Sequence, residues 1–326
     1  FLDMQKKKYK VLNYDVSKKI DWVLGENLIT GEDTYIPKQI TEWFKQDFSV
    51  DHVFYNSTTN GSAGYFTKEG AVLRGLLEVV QRDAFLVHWL TMISPEIIDK
   101  RTLPNDLRNR IKDFELFGVT LYVFNTTAVS IPSVVVVVVN ESSDTPQVCL
   151  SGGSGVTFRE ALDSAVREIV LGLEFFYYKD SDVEKRLRES DLEPFLAGVG
   201  KIERQLYWRG KEKVEKFKWF LSGKVVSYQD ICKDDILCDC SDKTKLFKCL
   251  KILKERGEDY YPIVYYPKNS IQEELGFYVA QVFIPKAFPL YLSEYFGTFD
   301  SDRLHEFAQS KNINNWKLNE FPHMFP

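Results

Sequence analysis

A row of charged and polar side chains lies on one face of an otherwise apolar segment between residues 69 and 90, whose periodicity predicts a helix. Arg74, Glu78 and Arg82 follow one another at intervals of four, and Gln81 stands three residues after Glu78, so the four share a helix face. Charges on a buried helix must be paired or must line a polar cavity. The residues alone leave two interpretations open: a stripe of ion pairs centred on Glu78, or a site that binds an anion or a metal ion.

A second predicted helix, from about Phe158 to Tyr178, carries Ser164 and Glu168 on a comparable stripe, with Glu168 predicted to point inward. Each helix follows a stretch of small residues, Asn60-Gly-Ser-Ala-Gly64 before the first and Gly152-Gly-Ser-Gly155 before the second, and both stretches are predicted to be loops. Backbone N–H groups at helix starts bind phosphate, and carboxylates bind Mg2+. The pattern favours a Mg2+–nucleotide site, although a short glycine-rich stretch is a weak motif by itself.

Around these two segments, hydrophobic patterning predicts further helices and strands joined by short loops. The six valines from Val134 to Val139 indicate a strand buried on both faces. Residues 180–245 are charged and loop-rich, which predicts an insertion or a lobe. The other predicted elements are helices near 107–116 and 245–256 and strands near 20–24, 34–37, 119–124, 260–266 and 276–284. Helices and strands in this order predict an α/β or α+β fold.

The overall composition excludes several classes of protein. The 326 residues are 44% hydrophobic and 27% charged, as in globular proteins, and the net charge of −5 argues against a nucleic-acid partner. No apolar run is long enough to span a membrane and no secretory signal is recognisable, so we expect a cytoplasmic protein without a membrane partner. The cysteines Cys232, Cys238, Cys240 and Cys249 lack the short spacing of a zinc hook, which favours unpaired thiols over a metal site.

Two segments resemble signatures of a known family. Thr59 to Gly64 and Glu69 to Ala84 are similar to the patterns S/T-N-G-x-A-x-G and E-E-A-x-x-x-G-L-x-E-x-x-E-R-D-A of the YcaO family. The closer resemblance is to the streptolysin-associated type of cyclodehydratase subunit in thiazole/oxazole-modified microcin biosynthesis. Ile20–Val23, Gly118–Thr127 and Ile284–Pro285 match the same subfamily, so the resemblance extends in order over nearly the whole chain.

The resemblance implies a single YcaO-type domain over residues 1–326, with mixed sheets and two glycine-loop and helix units around a central site. It also implies ATP- and Mg2+-dependent cyclodehydration in the biosynthesis of a ribosomally made, modified peptide. A Cys, Ser or Thr side chain of that peptide attacks the preceding carbonyl, ATP phosphorylates the resulting oxyanion, and loss of phosphate leaves an azoline ring. The implied partners are the precursor peptide, a ThiF-like leader-binding protein and a second copy of the chain.

The same resemblance assigns roles to individual residues. Its nucleotide-binding positions are Asn60, Glu78, Gln81, Arg82, Ser164 and Glu168, and two of them, Glu78 and Glu168, are the implied metal ligands. The tail Pro322-His-Met-Phe-Pro326 aligns with the proline-rich terminus of the family, which reaches the reaction centre. His323 and Pro326 are therefore the implied catalytic positions.

Several positions depart from the family pattern. Gln81 replaces the second glutamate of E-x-x-E-R, Ser164 replaces the arginine of R-x-x-x-E, and Met324 replaces the middle proline of the tail. The family's S-x-x-x-E-x-x-E-R motif would lie before Phe1, in a longer protein. A Gln in place of a Glu lowers the affinity for Mg2+, and a Ser in place of an Arg removes a bidentate contact to phosphate.

These departures leave three functional interpretations open. The first is an active azoline-forming subunit. The second is a degenerate YcaO pseudoenzyme that binds the peptide or partner enzymes without ATP turnover. The third is a plain interaction protein on the same fold, since a fold does not fix a function.

Overall fold

A computed structural model describes residues 19–41, 58–141, 146–177, 204, 206–232, 240–267, 270–292 and 301–325. Much of the predicted insertion at 180–245 lies outside these ranges. The structure combines helices with two β-sheets, one antiparallel and one mixed, which confirms the predicted α/β class. The chain divides into two compact units, which we call unit 1 (Phe1–Asp83 and Asp239–Phe299) and unit 2 (Ala84–Cys238 and Asp300–Pro326).

The elements are numbered in chain order. The helices are α1 (Lys38–Thr41), α2 (Lys68–Thr91), α3 (Asn105–Glu115), α4 (Phe158–Tyr177), α5 (Lys211–Phe217), α6 (Tyr228–Ile231), α7 (Asp242–Arg256), α8 (Ser270–Leu275) and α9 (Asp302–Ser310). The strands are β1 (Trp22–Asn27), β2 (Asp33–Pro37), β3 (Ser62–Tyr65), β4 (Glu96–Ile98), β5 (Thr120–Asn125), β6 (Ser133–Asn140), β7 (Gln147–Ser154), β8 (Val225–Val226), β9 (Ile263–Tyr265) and β10 (Tyr278–Phe283).

Unit 1 contains a five-stranded antiparallel sheet in the order β2-β1-β9-β10-β3. The turn between β1 and β2 forms because Asn27 Oδ1 accepts hydrogen bonds from the backbone N–H groups of Ile29 and Thr30 and because Gly31 takes a φ of 74°. The buried side of this sheet includes Ile36, Val264 and Val282. The first part of α2, up to Asp83, belongs to this unit.

Unit 2 contains a second five-stranded sheet in the order β7-β6-β5-β4-β8, in which only the β4–β8 pair is parallel among the described strands. The valines of β6 are at most 1% exposed, which confirms the predicted strand buried on both faces. Val134, Val136 and Val138 pack with residues of α3 and α4 in one apolar core. Val135 shares the opposite face with its cross-strand partner Phe124, beside a cluster of aromatic rings.

The two stretches of small residues that the sequence predicts as loops are largely strands. Ser62–Gly64 belongs to β3, and Gly152–Ser154 belongs to β7, so the prediction of glycine-rich loops at helix starts is wrong in this respect. Packing explains the small residues of β7: a Cβ on Gly153 would stand 2.2 Å from the backbone oxygen of Ala161 in α4. The helices themselves begin as predicted, with threonine caps: Thr67 Oγ1 accepts from Gly70 N–H and Thr157 Oγ1 accepts from Glu160 N–H.

Candidate functional site

In unit 1, a tight turn at Asn60 and Gly61 packs against the middle of α2. Gly61 has a φ of 78°, and its carbonyl accepts a hydrogen bond from Val282 N–H at 2.8 Å. A Cβ on Gly75 of α2 would stand 2.3 Å from that same Gly61 oxygen. Turn and helix thus meet backbone to backbone, which requires glycine on both sides.

Glu78 joins this turn to the helix. Its Oε2 accepts a hydrogen bond from Gly61 N–H at 3.0 Å, and its Oε1 lies 3.4 Å from a terminal nitrogen of Arg82. Both side chains are mostly shielded, at 28% and 13% exposed. A carboxylate has about four acceptor positions, so Glu78 keeps capacity for a further donor or a cation.

Two other predicted site residues belong to the same turn and helix: Asn60 lies in the turn, and Gln81 lies on α2 three residues after Glu78. The Oδ1 of Asn60 is buried and has no hydrogen-bond partner within the described residues, which is costly for a polar atom. Gln81 is 8% exposed, so its neutral amide occupies a buried position where the family pattern has a carboxylate. Asn60 and Glu78 offer oxygen ligands that suit Mg2+, and the guanidinium of Arg82 suits phosphate. Because Gln81 is neutral, this set carries one negative charge fewer than the family pattern.

Arg74 forms its ion pair with Asp242 and not with Glu78, the partner that the ion-pair interpretation expected. Its guanidinium donates to Asp242 at 3.1 Å and to the carbonyl of Gly70 at 2.9 Å, and it lies 3.4 Å above the ring of Tyr65. The predicted stripe of ion pairs centred on Glu78 is therefore correct for Arg82 and wrong for Arg74.

Ser164 and Glu168 lie in unit 2, on α4. Ser164 is partly buried, whereas Glu168 is exposed, so the expectation of an inward-pointing glutamate is wrong. The neighbouring Asp163 forms ion pairs with Arg110 at 2.7 Å and Arg167 at 3.3 Å. A single site that joins these residues to Glu78 of unit 1 stays a prediction.

The tail of unit 2 is held through its backbone. Three consecutive carbonyls each accept a hydrogen bond from a different side chain: Trp89 Nε1 donates to Phe321 O at 3.2 Å, Trp208 Nε1 to Pro322 O at 3.1 Å, and Arg204 to His323 O at 3.2 Å. We call Trp89, Arg204 and Trp208 the tail clamp.

The tail residues are themselves deeply buried. His323 and Met324 are 0% exposed and Phe325 is 1% exposed, while the predicted catalytic residue Pro326 lies outside the described residues. A catalytic role for His323 stays a prediction. Sequence reasoning missed the tail clamp, because the spacing of the two tryptophans and the arginine carries no periodic signal.

His88 lies on α2 one turn before its end and is buried. Its Nδ1–H donates to the carbonyl of Ile93 at 2.7 Å, and its ring packs edge-on against Phe307. Burial lowers the pKa of His88 to about 3, and the nearby charges of Lys311 and Arg303 act in the same direction. The imidazole is therefore neutral, as a core residue rather than a proton-transfer group.

Four of the five cysteines lie among the described residues. No group of three or more His, Cys, Asp or Glu side chains suited to a metal ion occurs within the described ranges. Cys149, Cys232 and Cys249 form no disulfide, whereas Cys240 is disulfide-bonded, which corrects the expectation of unpaired thiols for that residue. No helix in the same ranges is long and apolar enough to cross a membrane.

Comparison with solved structures shows the fold. A heterocyclase in complex with substrate and cofactor matches 96% of the chain with a TM-score of 0.71 and 20% identity, and the chain spans 39% of that heterocyclase. The YcaO protein from Methanopyrus kandleri, bound with AMPPCP and Mg2+, matches 84% of the chain and 66% of its own length, with a TM-score of 0.60 and 19% identity.

A third similar structure is the E. coli microcin synthetase McbBCD complex with pro-MccB17 bound. The match covers 83% of the present chain and 65% of the chain in that complex, with a TM-score of 0.55 and 18% identity. Proteins with curated functions give no match. At these identities the structural likeness speaks for the fold alone. A family model described as YcaO cyclodehydratase, ATP- and Mg2+-binding, covers residues 3–287, and the chain therefore belongs to the YcaO cyclodehydratase family.

Proposed function

We propose that this protein is a subunit of an enzyme that forms azoline rings from Cys, Ser or Thr residues of a ribosomally made precursor peptide, with ATP and Mg2+. The observation that carries the proposal is the family match over residues 3–287, since that family is cyclodehydratase, ATP- and Mg2+-binding. The heterocyclase complexes among the similar folds are consistent with it. We further propose a cytoplasmic location, a ThiF-like leader-binding partner and self-association as a homodimer.

The residues of unit 1 are the part of the site that the structure supports best. We propose that Glu78 and Asn60 contribute oxygen ligands to Mg2+ and that Arg82 contacts phosphate. Glu78 also accepts a hydrogen bond from Gly61 N–H and thereby stabilises the Asn60 turn. The same carboxylate therefore has a structural role and a proposed role as a metal ligand. Gln81 adds an amide oxygen without charge, and Ser164 and Glu168 are the proposed contribution of unit 2.

When bound, ATP would convert a poor leaving oxygen of the substrate amide into a phosphate, which leaves readily. The chain's own part is to orient the nucleotide and to neutralise negative charge. Arg82, held near Glu78 in a largely shielded position, supplies a fixed positive charge of this kind. Pro326 is the proposed tail residue at the reacting groups.

The proposal is tested by calorimetric titration of the full chain with Mg-ATP. We expect binding in the micromolar range, lowered at least about tenfold by Glu78→Gln, which loses the charge of a metal ligand. Glu255→Gln, an exposed position on α7, is the matched control and leaves the affinity unchanged. Failure of the wild-type chain to bind Mg-ATP contradicts the proposed function.

The pseudoenzyme is the second candidate, favoured by the neutral Gln81 and by Ser164 at the arginine position. The two candidates are distinguished by the double variant Gln81→Glu and Ser164→Arg. If the wild-type chain does not bind Mg-ATP and the double variant does, the nucleotide pocket has kept its shape but lost charges that binding needs. The pseudoenzyme interpretation is then correct. If both bind with similar affinity, the lost charges are dispensable and the enzyme interpretation holds.

A further inference from the structure

One face of the hairpin formed by β1 and β2 in unit 1 exposes large apolar side chains. The strands pair antiparallel, with Leu24 opposite Tyr35 and Trp22 opposite Pro37, so these side chains share a face. Trp22 is 52% exposed, Leu24 53% and Tyr35 69%. Single exposed apolar residues are ordinary, whereas a contiguous group on one sheet face is typical of an interaction site. We call Trp22, Leu24 and Tyr35 the hairpin patch.

The same face continues from the hairpin patch into a pair of carboxylates. Glu26 lies two residues after Leu24 on β1, and its cross-strand partner on β2 is Asp33. Like charges directly opposite each other destabilise a pair of strands. Lys68 offsets part of this repulsion, since its Nζ lies 3.8 Å from Glu26, whereas Asp33 forms no ion pair within the described residues. The hairpin therefore keeps an acidic pair that does not serve its own stability.

A cavity of about 530 Å³ lies beside these carboxylates. Its lining includes Val23, Leu24, Glu26, Asp33, Tyr265 and Tyr266. Aliphatic and aromatic side chains thus surround two carboxylates. A cavity of this composition suits an organic cation, whose apolar stem contacts the aliphatic groups while its charged end faces the carboxylates and the aromatic rings.

Lys68 shows how a primary ammonium group binds next to this cavity. Its Nζ lies 4.2 Å from the centre of the Tyr266 ring, in addition to its contact with Glu26. The face of an aromatic ring attracts a cation, so ring and carboxylate act together on the same charge. Burial raises the pKa of the Tyr266 hydroxyl, and the negative charges of Glu26 and Glu69 act in the same direction. One ammonium group is therefore already bound here, and the carboxylate of Asp33 is placed to receive another.

We propose that the hairpin patch and the cavity bind a linear segment of another polypeptide, one that carries a lysine or arginine side chain between apolar side chains. The basic side chain enters the cavity towards Asp33 and Glu26, and the flanking apolar side chains cover the hairpin patch. Charge complementarity selects this occupant, because the acidic pair disfavours an acidic or a purely apolar segment. The patch spans two short strands, which matches a short peptide better than a globular surface that buries about 800 Å² on each partner. The site is independent of the nucleotide and of the proposed function.

The probe is the synthetic peptide acetyl-Gly-Leu-Lys-Phe-Gly-amide, titrated calorimetrically into the full chain at about 0.15 M salt. A second peptide has norleucine in place of lysine, which keeps the aliphatic stem and removes the ammonium group. We expect the lysine peptide to bind with a submillimolar Kd. The norleucine peptide should bind at least about tenfold more weakly, because it brings no cation to the two carboxylates and the aromatic rings.

The hairpin offers a matched pair of charge variants. Asp33→Asn and Glu32→Gln each remove one exposed carboxylate from adjacent positions, but of the two only Asp33 lines the cavity. We expect Asp33→Asn to weaken binding of the lysine peptide about fivefold and Glu32→Gln to leave it unchanged. Tyr35→Ser, which removes an exposed ring of the hairpin patch, should weaken both peptides alike. Because Asp33→Asn relieves a repulsion between strands, urea unfolding should show no loss of stability, which separates lost binding from lost structure.

Several results would overturn the peptide site. These are no binding of the lysine peptide, equal binding of the two peptides, or equal effects of Asp33→Asn and Glu32→Gln, which would reduce the attraction to net charge. Binding of n-butylamine as tight as that of the peptide would assign the cavity to a free amine instead. Self-association in sedimentation velocity that Tyr35→Ser abolishes would assign the hairpin patch to a second copy of the chain. Absence of Mg-ATP binding by the wild-type chain would overturn the proposed function alone, since the peptide titrations contain no nucleotide.

Discussion

Asn60 presents a buried acceptor that no described residue uses. Its Oδ1 has no hydrogen-bond partner among the described residues, although the next residue, Gly61, is bonded to Glu78 and to Val282. An acceptor kept in such a place destabilises the protein unless a ligand or a water completes it. Because Asn60 precedes the residue bonded to Glu78, its substitution should affect ligand binding while leaving the stability of the fold nearly unchanged.

We predict that Asn60→Ala lowers the affinity for Mg-ATP at least about tenfold while changing the free energy of unfolding by less than about 1 kcal/mol, because the oxygen makes no hydrogen bond to any described residue. Calorimetric titration and urea unfolding measure the two quantities. A large loss of stability with unchanged affinity would show that Asn60 serves the turn rather than the ligand.

His88 makes the stability of the protein sensitive to acid. Its pKa is lowered to about 3 by burial in the folded chain, against an ordinary value of 6.5 in the unfolded one. Between these values the unfolded chain takes up a proton that the folded chain refuses, so stability is lost as the pH falls below 6.5. The expected slope is at most about 1.4 kcal/mol per pH unit.

The prediction is checked by urea unfolding between pH 7 and pH 4. His88→Asn should show a flatter dependence on pH than the wild-type chain, and His305→Asn, at an exposed position on α9, should keep the wild-type slope. Equal slopes for wild type and His88→Asn would contradict the assignment.

At the scale of elements, the contact between the Asn60 turn and α2 depends on the absence of a side chain at Gly75. A Cβ there would stand 2.3 Å from the backbone oxygen of Gly61, and backbone cannot move aside cheaply. We predict that Gly75→Ala lowers the free energy of unfolding by about 1–3 kcal/mol and weakens Mg-ATP binding through displacement of the turn.

Gly64 provides the control for this prediction. A Cβ at Gly64 would find its nearest neighbours at 3.8 Å, an ordinary contact, so Gly64→Ala should leave both quantities nearly unchanged. Urea unfolding and calorimetric titration of the two variants make the comparison. If Gly75→Ala were as stable as Gly64→Ala, the close packing of turn and helix would be refuted.

Structure that depends on signals within one element could be predicted from the sequence, whereas contacts between elements could not. The periodicity of α2 and the valines of β6 are signals within a single element, and both elements formed where predicted. The small residues at 152–154 were misassigned to a loop because the close approach of α4 to β7 is a tertiary property. The partner of Arg74, Asp242, is far away in the sequence, so no local pattern could have found it.

The candidate site divides in the same way. The pairing of Glu78 with Arg82 follows from helical spacing and was predictable, whereas the bond from Gly61 N–H to Glu78 joins different elements and was not. The exposed position of Glu168 depends on which face α4 turns to the sheet. The single domain over residues 1–326 implied by the resemblance stays a prediction beside the two units of the structure.

At the scale of the whole molecule, binding of nucleotide should be visible as added stability. A ligand that binds the folded chain alone stabilises it by about 2.7 kcal/mol at a concentration of 100 times Kd. We predict that Mg-ATP at 100 times Kd raises the free energy of unfolding by that amount and that ATP with EDTA raises it less, because Mg2+ joins the nucleotide to the carboxylate of Glu78; urea unfolding measures both. An equal shift for Glu78→Gln would show that binding does not involve this carboxylate.

The valines of β6 also have a consequence for how we expect this protein to behave on heating. A run of six uncharged, β-branched residues without proline is the kind of segment that stacks into cross-β assemblies once it is exposed. In the native sheet it is shielded on both faces and paired on both edges, with β5 and β7. When that sheet opens, we expect association of these segments to compete with refolding, so that thermal inactivation is irreversible and its apparent midpoint rises with the scan rate. The shelf life of the protein would then be set by an opening rate, and any ligand or variant that slows this opening would prolong it.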